Sequence, residues 1–232
     1  MNVEFLLALL GGTRNGTISV GSLSEEIGVS SEMVEERLAS LVGKDLVTNF
    51  DGTHIDVTEG QRLHLATYAI KEGVDIERVC AVLGWAEFED LVAFALYHRE
   101  FEVKKHFRVK QVMKRYEIDL VGLKEPLVLS IECKHWKRSW RRAATIDVIN
   151  TQIKRTKALV QSIPEPKDKL GVGKWHEVNF IPLVLTLSNT PIKIYEGVPV
   201  VPIFKFNTFL DEMLTNLDEL MVLTMMSQPR LT

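Results

Sequence analysis

Two cysteines in 232 residues, Cys80 and Cys133, are too few for a disulfide framework, and no second pair completes a structural zinc site. A reducing, cytoplasmic setting is therefore expected. No apolar run is long enough to span a bilayer, and the N-terminal MNVEFLLALLGG has neither the basic leader nor the length of a secretory signal, so no membrane association is expected. Low-complexity tracts and internal repeats are also missing. What remains is ordinary globular usage, 46% hydrophobic and 25% charged, which is enough for one large domain or two modest ones.

The net charge of −3 conceals a division along the chain. Residues 1 to 62 hold 4 basic against 10 acidic side chains, a local −6, whereas residues 97 to 157 hold 16 against 7, a local +9. The basic middle attracts polyanions whatever the overall balance, because phosphate contacts depend on nearby charge.

Three apolar helical patterns open the chain, over Asn2 to Leu10, within SVGSLSEEIGV (19 to 29) and within SSEMVEERLASLV (30 to 42), with Gly11, Gly12 and Gly28 as stops and Ser30 and Ser31 as caps. LVTNFDGTHIDVT then reads as two strands around an Asp51-Gly52 turn. This quarter of the chain resembles winged-helix domains, with 30 to 42 as the recognition helix. Glu32, Glu35 and Glu36 on that helix make it a poor reader of phosphate, so the expectation for this acidic module is packing against the C-terminal domain, a second subunit or another protein partner. The expected organisation is a winged-helix-like domain at 1–62, a helical linker at 63–84 and an α/β domain at 85–232.

The second half begins with an amphipathic helix in WAEFEDLVAFALYHRE, followed by strand patterns, a helix in TIDVINTQIKRTKALVQSI, two more strand runs and a last helix in TFLDEMLTNLDELMVLTMM. Its informative stretch is YEIDLVGLKEPLVLSIECKHWKR (116 to 138). Glu132 and Lys134 are two apart on a strand, so they share a face while Cys133 faces away. With a turn at Gly122 to Pro126, Asp119 on the preceding strand can reach the same face. LVLSI is too apolar for an outer strand, so the charged pair is not an ordinary edge decoration. Converging carboxylates can hold a divalent cation, and an adjacent ammonium can orient a water or offset charge in a transition state.

These residues resemble the D…(D/E)xK signature of the restriction-endonuclease-like superfamily, and FEDLVAFAL with IECKHW is most similar to Mrr-type restriction endonucleases and archaeal Holliday-junction resolvases. Ile118 stands where the superfamily's name has proline. The resemblance implies a mixed sheet flanked by helices, a Mg²⁺-dependent endonuclease (Mn²⁺ as an alternative), and DNA as substrate in restriction, repair or recombination. It implies a metal held by Asp119, Glu132, the backbone carbonyl of Cys133 and Glu89, with Lys134 near the attacking water. Glu87 competes with Glu89 for that assignment. A DNA-binding regulator on a silent nuclease fold is the alternative.

Candidate DNA contacts are Lys137, Arg138, Arg141 and Arg142 after the catalytic strand, and Gln152, Lys154 and Arg155 on the next helix. Trp136 and Trp140 read as packing residues with stacking as the alternative. The last helix carries a broad apolar surface, Leu210 to Leu223, which would suit a homodimer.

Overall fold

The computed structural model describes residues 2–111, 114–135, 141–163 and 169–226. It divides into two compact units, Met1–Leu91 and Val92–Thr232.

The first unit contains α1 (Val3–Gly12), β1 (Thr17–Ser19), α2 (Val20–Ile27), α3 (Ser31–Val42), β2 (Asn49–Phe50), β3 (His54–Asp56), α4 (Glu59–Lys71), α5 (Ile76–Val82) and the start of α6 (Trp85–Tyr97). Side-chain oxygens of Ser19, Ser30 and Thr58 cap α2, α3 and α4, which fixes where each helix starts. Phe5 to Leu10 are all buried, making α1 the centre of the unit, with α2, α4 and α5 packed around it. The strands form an antiparallel sheet in the order β1-β3-β2. At the β2–β3 turn Asp51 accepts the N–H groups of Thr53 and His54, which hold its carboxyl down to about 2, and Gly52 takes φ +91°. The stretch read as a linker, 63–84, is folded into this unit as α4 and α5.

Both ends of that packing are tied by Arg62, whose side chain is 3% exposed. Its guanidinium donates to Leu10 O (2.6 Å), Thr13 Oγ1 (2.8 Å) and the carboxylate of Glu87.

The second unit continues α6 and contains β4 (Glu102–Gln111), β5 (Lys114–Lys124), β6 (Leu127–Lys134), α7 (Arg142–Ser162), β7 (Glu177–Thr186), β8 (Ile194–Tyr195), β9 (Val198–Pro202), α8 (Phe206–Glu212) and β10 (Leu223–Met226). The chain is mixed α/β. Its main sheet has seven strands in the order β4-β5-β6-β7-β9-β8, with β10 beside the first half of β7. β4, β5 and β6 are antiparallel, while β6-α7-β7 is a parallel crossover. Ala158 and Leu159 of α7, with Ile163 at its C-terminal cap, cover Val121, Leu123, Val128 and Phe180 of the sheet. β6 lies inside the sheet and is buried along nearly its whole length, as the run LVLSI required.

Two local expectations are corrected. The β5–β6 turn is confined to Glu125 and Pro126, and Gly122 stays within β5, where a Cβ would stand 3.3 Å from the Phe101 ring. The last helix is also absent as a single element. α8 stops at Glu212, a 3-10 turn follows at 217–219, and residues 223–226 pair with β7. Long-range pairing overrides the helical periodicity here, since the Met221 N–H donates to Gly197 O at 2.7 Å and a side chain at Gly197 would collide with that backbone. Leu210 and Met213 are buried while Leu214 is exposed, so the continuous helical surface that suggested a dimer does not form.

Among the described residues no helix is long and apolar enough to cross a membrane.

Candidate active site

The β5–β6 ladder runs from Lys124↔Leu127 to Leu120↔Ile131 and stops there. At the next position Asp119 substitutes a side chain for the backbone acceptor: its Oδ2 accepts the Cys133 N–H at 2.8 Å. A strand residue turns its N–H and C=O toward the same neighbour, so the Cys133 carbonyl also lies on the Asp119 side of β6. The Cys133 thiol is buried.

Glu132 is almost fully buried, and both of its oxygens meet cations. Lys134 Nζ stands 2.6 Å from Oε1, and Arg155 Nη1 of α7 donates to Oε2. Asp119, Glu132 and Lys134 are thus brought together at the point where β5 and β6 part. Burial raises the Asp119 carboxyl above its ordinary range, opposed by the Cys133 N–H and by the charges of Arg155, Lys134 and His106. Two carboxylates and two cations share one partly desolvated place.

The register of α7 is set by a buried polar clamp one step back along β6. Gln152 Nε2 donates to Ser130 O (2.6 Å) and Ser130 Oγ (3.0 Å), and Thr156 Oγ1 lies 2.9 Å from Ser130 Oγ. Residues four apart on a helix share a face, as do residues two apart on a strand. The clamp therefore fixes α7 against the face of β6 that carries Glu132, and Arg155 sits beside it. Gln152 is fully buried, which closes direct contact with DNA and corrects that expectation. Its Oε1 has no hydrogen-bond partner among the described residues.

Arg141 at the start of α7 and Arg142 and Lys154 on it are exposed, as surface contacts must be. Arg155 is instead committed to Glu132. Lys137, Arg138, Trp136 and Trp140 lie outside the described residues.

Glu89 and Glu87 belong to the first unit. Glu89 is buried and accepts from Trp85 Nε1. Glu87 is paired with Arg62 and accepts the Gly84 N–H at 2.7 Å, so its carboxylate has a structural occupation. The roles of Ser130, Thr156 and Arg155 toward Glu132 were missed in the sequence; the available signal was the 152, 155, 156 spacing on one helix face.

No protein-family model matches the chain, and no curated protein matches its sequence. Three solved structures show similarity. A protein of unknown function, AF1548, is 19% identical over 56% of this chain and 65% of its own, with a TM-score of 0.34. Protein VC1899 from Vibrio cholerae is 11% identical over 94% of this chain and 52% of its own, with a TM-score of 0.42. Can2 from Sulfobacillus thermosulfidooxidans, solved with cyclic tetra-adenylate, is 10% identical over 93% of this chain and 51% of its own, with a TM-score of 0.36. The chain thus spans less than two thirds of the length of each.

Proposed function

We propose that the second unit is a restriction-endonuclease-like domain that hydrolyses phosphodiester bonds of DNA with Mg²⁺ or Mn²⁺. The observation that carries this reading is the convergence of Asp119, Glu132 and Lys134 where β5 and β6 separate.

The donor set fits a hard divalent cation. Among the described residues no three His, Cys, Asp or Glu side chains gather as a metal cage. Mg²⁺ does not need one, since it is commonly held by one or two carboxylates with water and substrate phosphate completing its sphere. Asp119, Glu132 and the Cys133 carbonyl would hold it. When bound, such an ion polarises a phosphoryl oxygen and lowers the pKa of a bound water. Lys134 orients the attacking water and offsets the negative charge that builds on phosphorus. Buried carboxylates on an interior strand are otherwise costly, and this use supplies a reason for them.

Incubating the protein with linear, methylated and branched DNA in Mg²⁺ should give cleavage that EDTA abolishes. Cleavage persisting in EDTA, or none on any of these DNAs, would sink the reading.

Because Arg155 holds an oxygen of Glu132, it competes with a cation for the same carboxylate. Arg155→Met should tighten Ca²⁺ binding measured by calorimetry about tenfold, equivalent to ~1.4 kcal/mol. Weaker binding in the variant would mean that Arg155 supports the cation site and does not compete with it.

In the first unit, we propose that residues 1–62 act as a winged-helix-like module whose acidic character suits a protein partner better than DNA.

A further inference from the structure

Beyond Leu120 the strand β5 no longer pairs with β6, but it keeps its partner on the other side down to Gln111↔Lys114. Residues 107–111 and 114–118 are therefore a two-stranded ribbon continuing past the candidate site. Its two faces differ. Phe107, Val109, Tyr116 and Ile118 pack into the core that contains Leu159 of α7. The alternate positions, opposed as Arg108↔Glu117 and Lys110↔Arg115, form the other face.

That outer face begins at the site. His106 Nδ1 lies 3.6 Å from Glu117 Oε1, and Arg108 Nε donates to Glu117 Oε2 at 2.6 Å. The single acidic residue of the face is thereby used up. Farther out, Lys110 and Arg115 stand directly opposite each other, are both exposed, and form no ion pair with a described residue. Lys114, the neighbour of Arg115 in the chain, turns to the other face and lies over the Tyr116 ring.

Like charges placed opposite one another in a ladder destabilise it. Folding alone gives no reason for the Lys110/Arg115 pair. Lysines on an edge strand can discourage edge pairing, but that purpose does not call for two cations facing each other. An anion lying across both strands does account for the arrangement, because it makes each cation's contact favourable and relieves their repulsion.

We propose that this ribbon is a phosphate-gripping arm, on which Lys110 and Arg115 bind the phosphodiester backbone of duplex DNA leading to Asp119 and Glu132. The inference rests on the nuclease reading for its choice of anion. A flexible phosphorylated protein is a different partner, and the test below would expose it by leaving DNA affinity untouched.

The experiment uses the full chain and a fluorescein-labelled duplex oligonucleotide in Ca²⁺, with binding followed by anisotropy across a salt series. Lys110→Gln with Arg115→Gln should weaken binding by roughly tenfold or more and lower the salt slope by about 2, since each lost phosphate contact removes ~0.9. The thermal melt should not fall, because the substitution removes a repulsion and no packed side chain; a variant with a lowered melt is replaced by the single Lys110→Gln, for which a slope change of about 1 is expected. Unchanged affinity and slope in a folded variant would overturn the proposal, as would a wild-type protein that does not bind duplex DNA. If the wild type binds, the variant loses the slope, and Mg²⁺ yields no cleavage, the arm stands and the nuclease reading falls. If the wild type cleaves and the variant binds DNA as the wild type does, the nuclease reading stands and the arm falls.

Discussion

Asp119→Asn should abolish Mg²⁺-dependent DNA cleavage, lowering the rate by at least ~10³-fold, and at the same time leave the protein more stable at neutral pH. The two effects share one cause. Asp119 is largely desolvated and its carboxyl is raised above the usual range by burial, so the folded state carries a charge that costs stability. An asparagine keeps an oxygen for the Cys133 N–H and loses the charge, but a neutral amide is a weaker ligand for a hard cation than a carboxylate. The pH dependence follows from the sign of the shift. Above the raised folded pKa the wild type bears the full cost; as pH falls through that value its folded state takes up a proton before the unfolded chain does, and the difference between wild type and variant closes. Melting curves recorded between neutral and acid pH test this. Saturating Ca²⁺ should reverse the order at neutral pH, because a cation present at 100 times the wild-type Kd adds ~2.7 kcal/mol to the wild type and much less to the variant, which has lost a charged ligand. A variant less stable than the wild type at neutral pH without metal would show that the carboxylate is held by net attraction and that burial is not its dominant influence.

Those parts of the site that depend on local pattern were legible in the sequence. Alternation alone placed Glu132 and Lys134 on one side of a strand and Cys133 on the other, and the apolar run before them marked an interior strand, which β6 is. The partnership of Glu132 with Arg155 was not legible, because the two are 23 positions apart and meet only once the Ser130, Gln152 and Thr156 clamp has set the helix against the sheet. Gln152 shows the limit most sharply: a helix glutamine in a basic stretch reads as a surface residue, and only tertiary packing reveals it as a buried donor. The end of the chain failed for the same physical reason. Leu210 to Leu223 has a helical period, yet pairing of β10 with β7 and the close approach of Met221 to Gly197 decide its conformation. In the first unit, capping serines and the Asp51-Gly52 turn announced the elements, while β1, only three residues long, carried too little pattern to be seen.

Arg62→Met should destabilise the first unit by about 3–5 kcal/mol, the usual cost of removing one member of a buried ion pair. Three losses combine in that number. Glu87 would keep a mostly buried carboxylate without its principal cation, while Leu10 O and Thr13 Oγ1 would each lose a buried donor. Methionine fills much of the same space, so a cavity is not the main cause. Burial by itself would push the Glu87 carboxyl up; the hydrogen bond from Arg62, the Gly84 N–H and the charges of Arg62 and Arg14 outweigh it and hold the carboxyl below its ordinary range. A depressed carboxylate contributes stability that is complete above the unfolded pKa and is lost as pH falls through the folded one. The pair's contribution should therefore be full at neutral pH and fade in acid below the usual glutamate range. Glu87→Gln provides the comparison: it leaves Arg62 bonded to Leu10 and Thr13 but takes the counter-charge from a guanidinium more buried than Glu87 itself, so the same cost of about 3–5 kcal/mol applies, toward its lower end. Urea unfolding of both variants at neutral pH gives the measurement. A Glu87→Gln cost above that of Arg62→Met would show that the uncompensated guanidinium outweighs the lost bonds to Leu10 and Thr13 and would overturn this ordering.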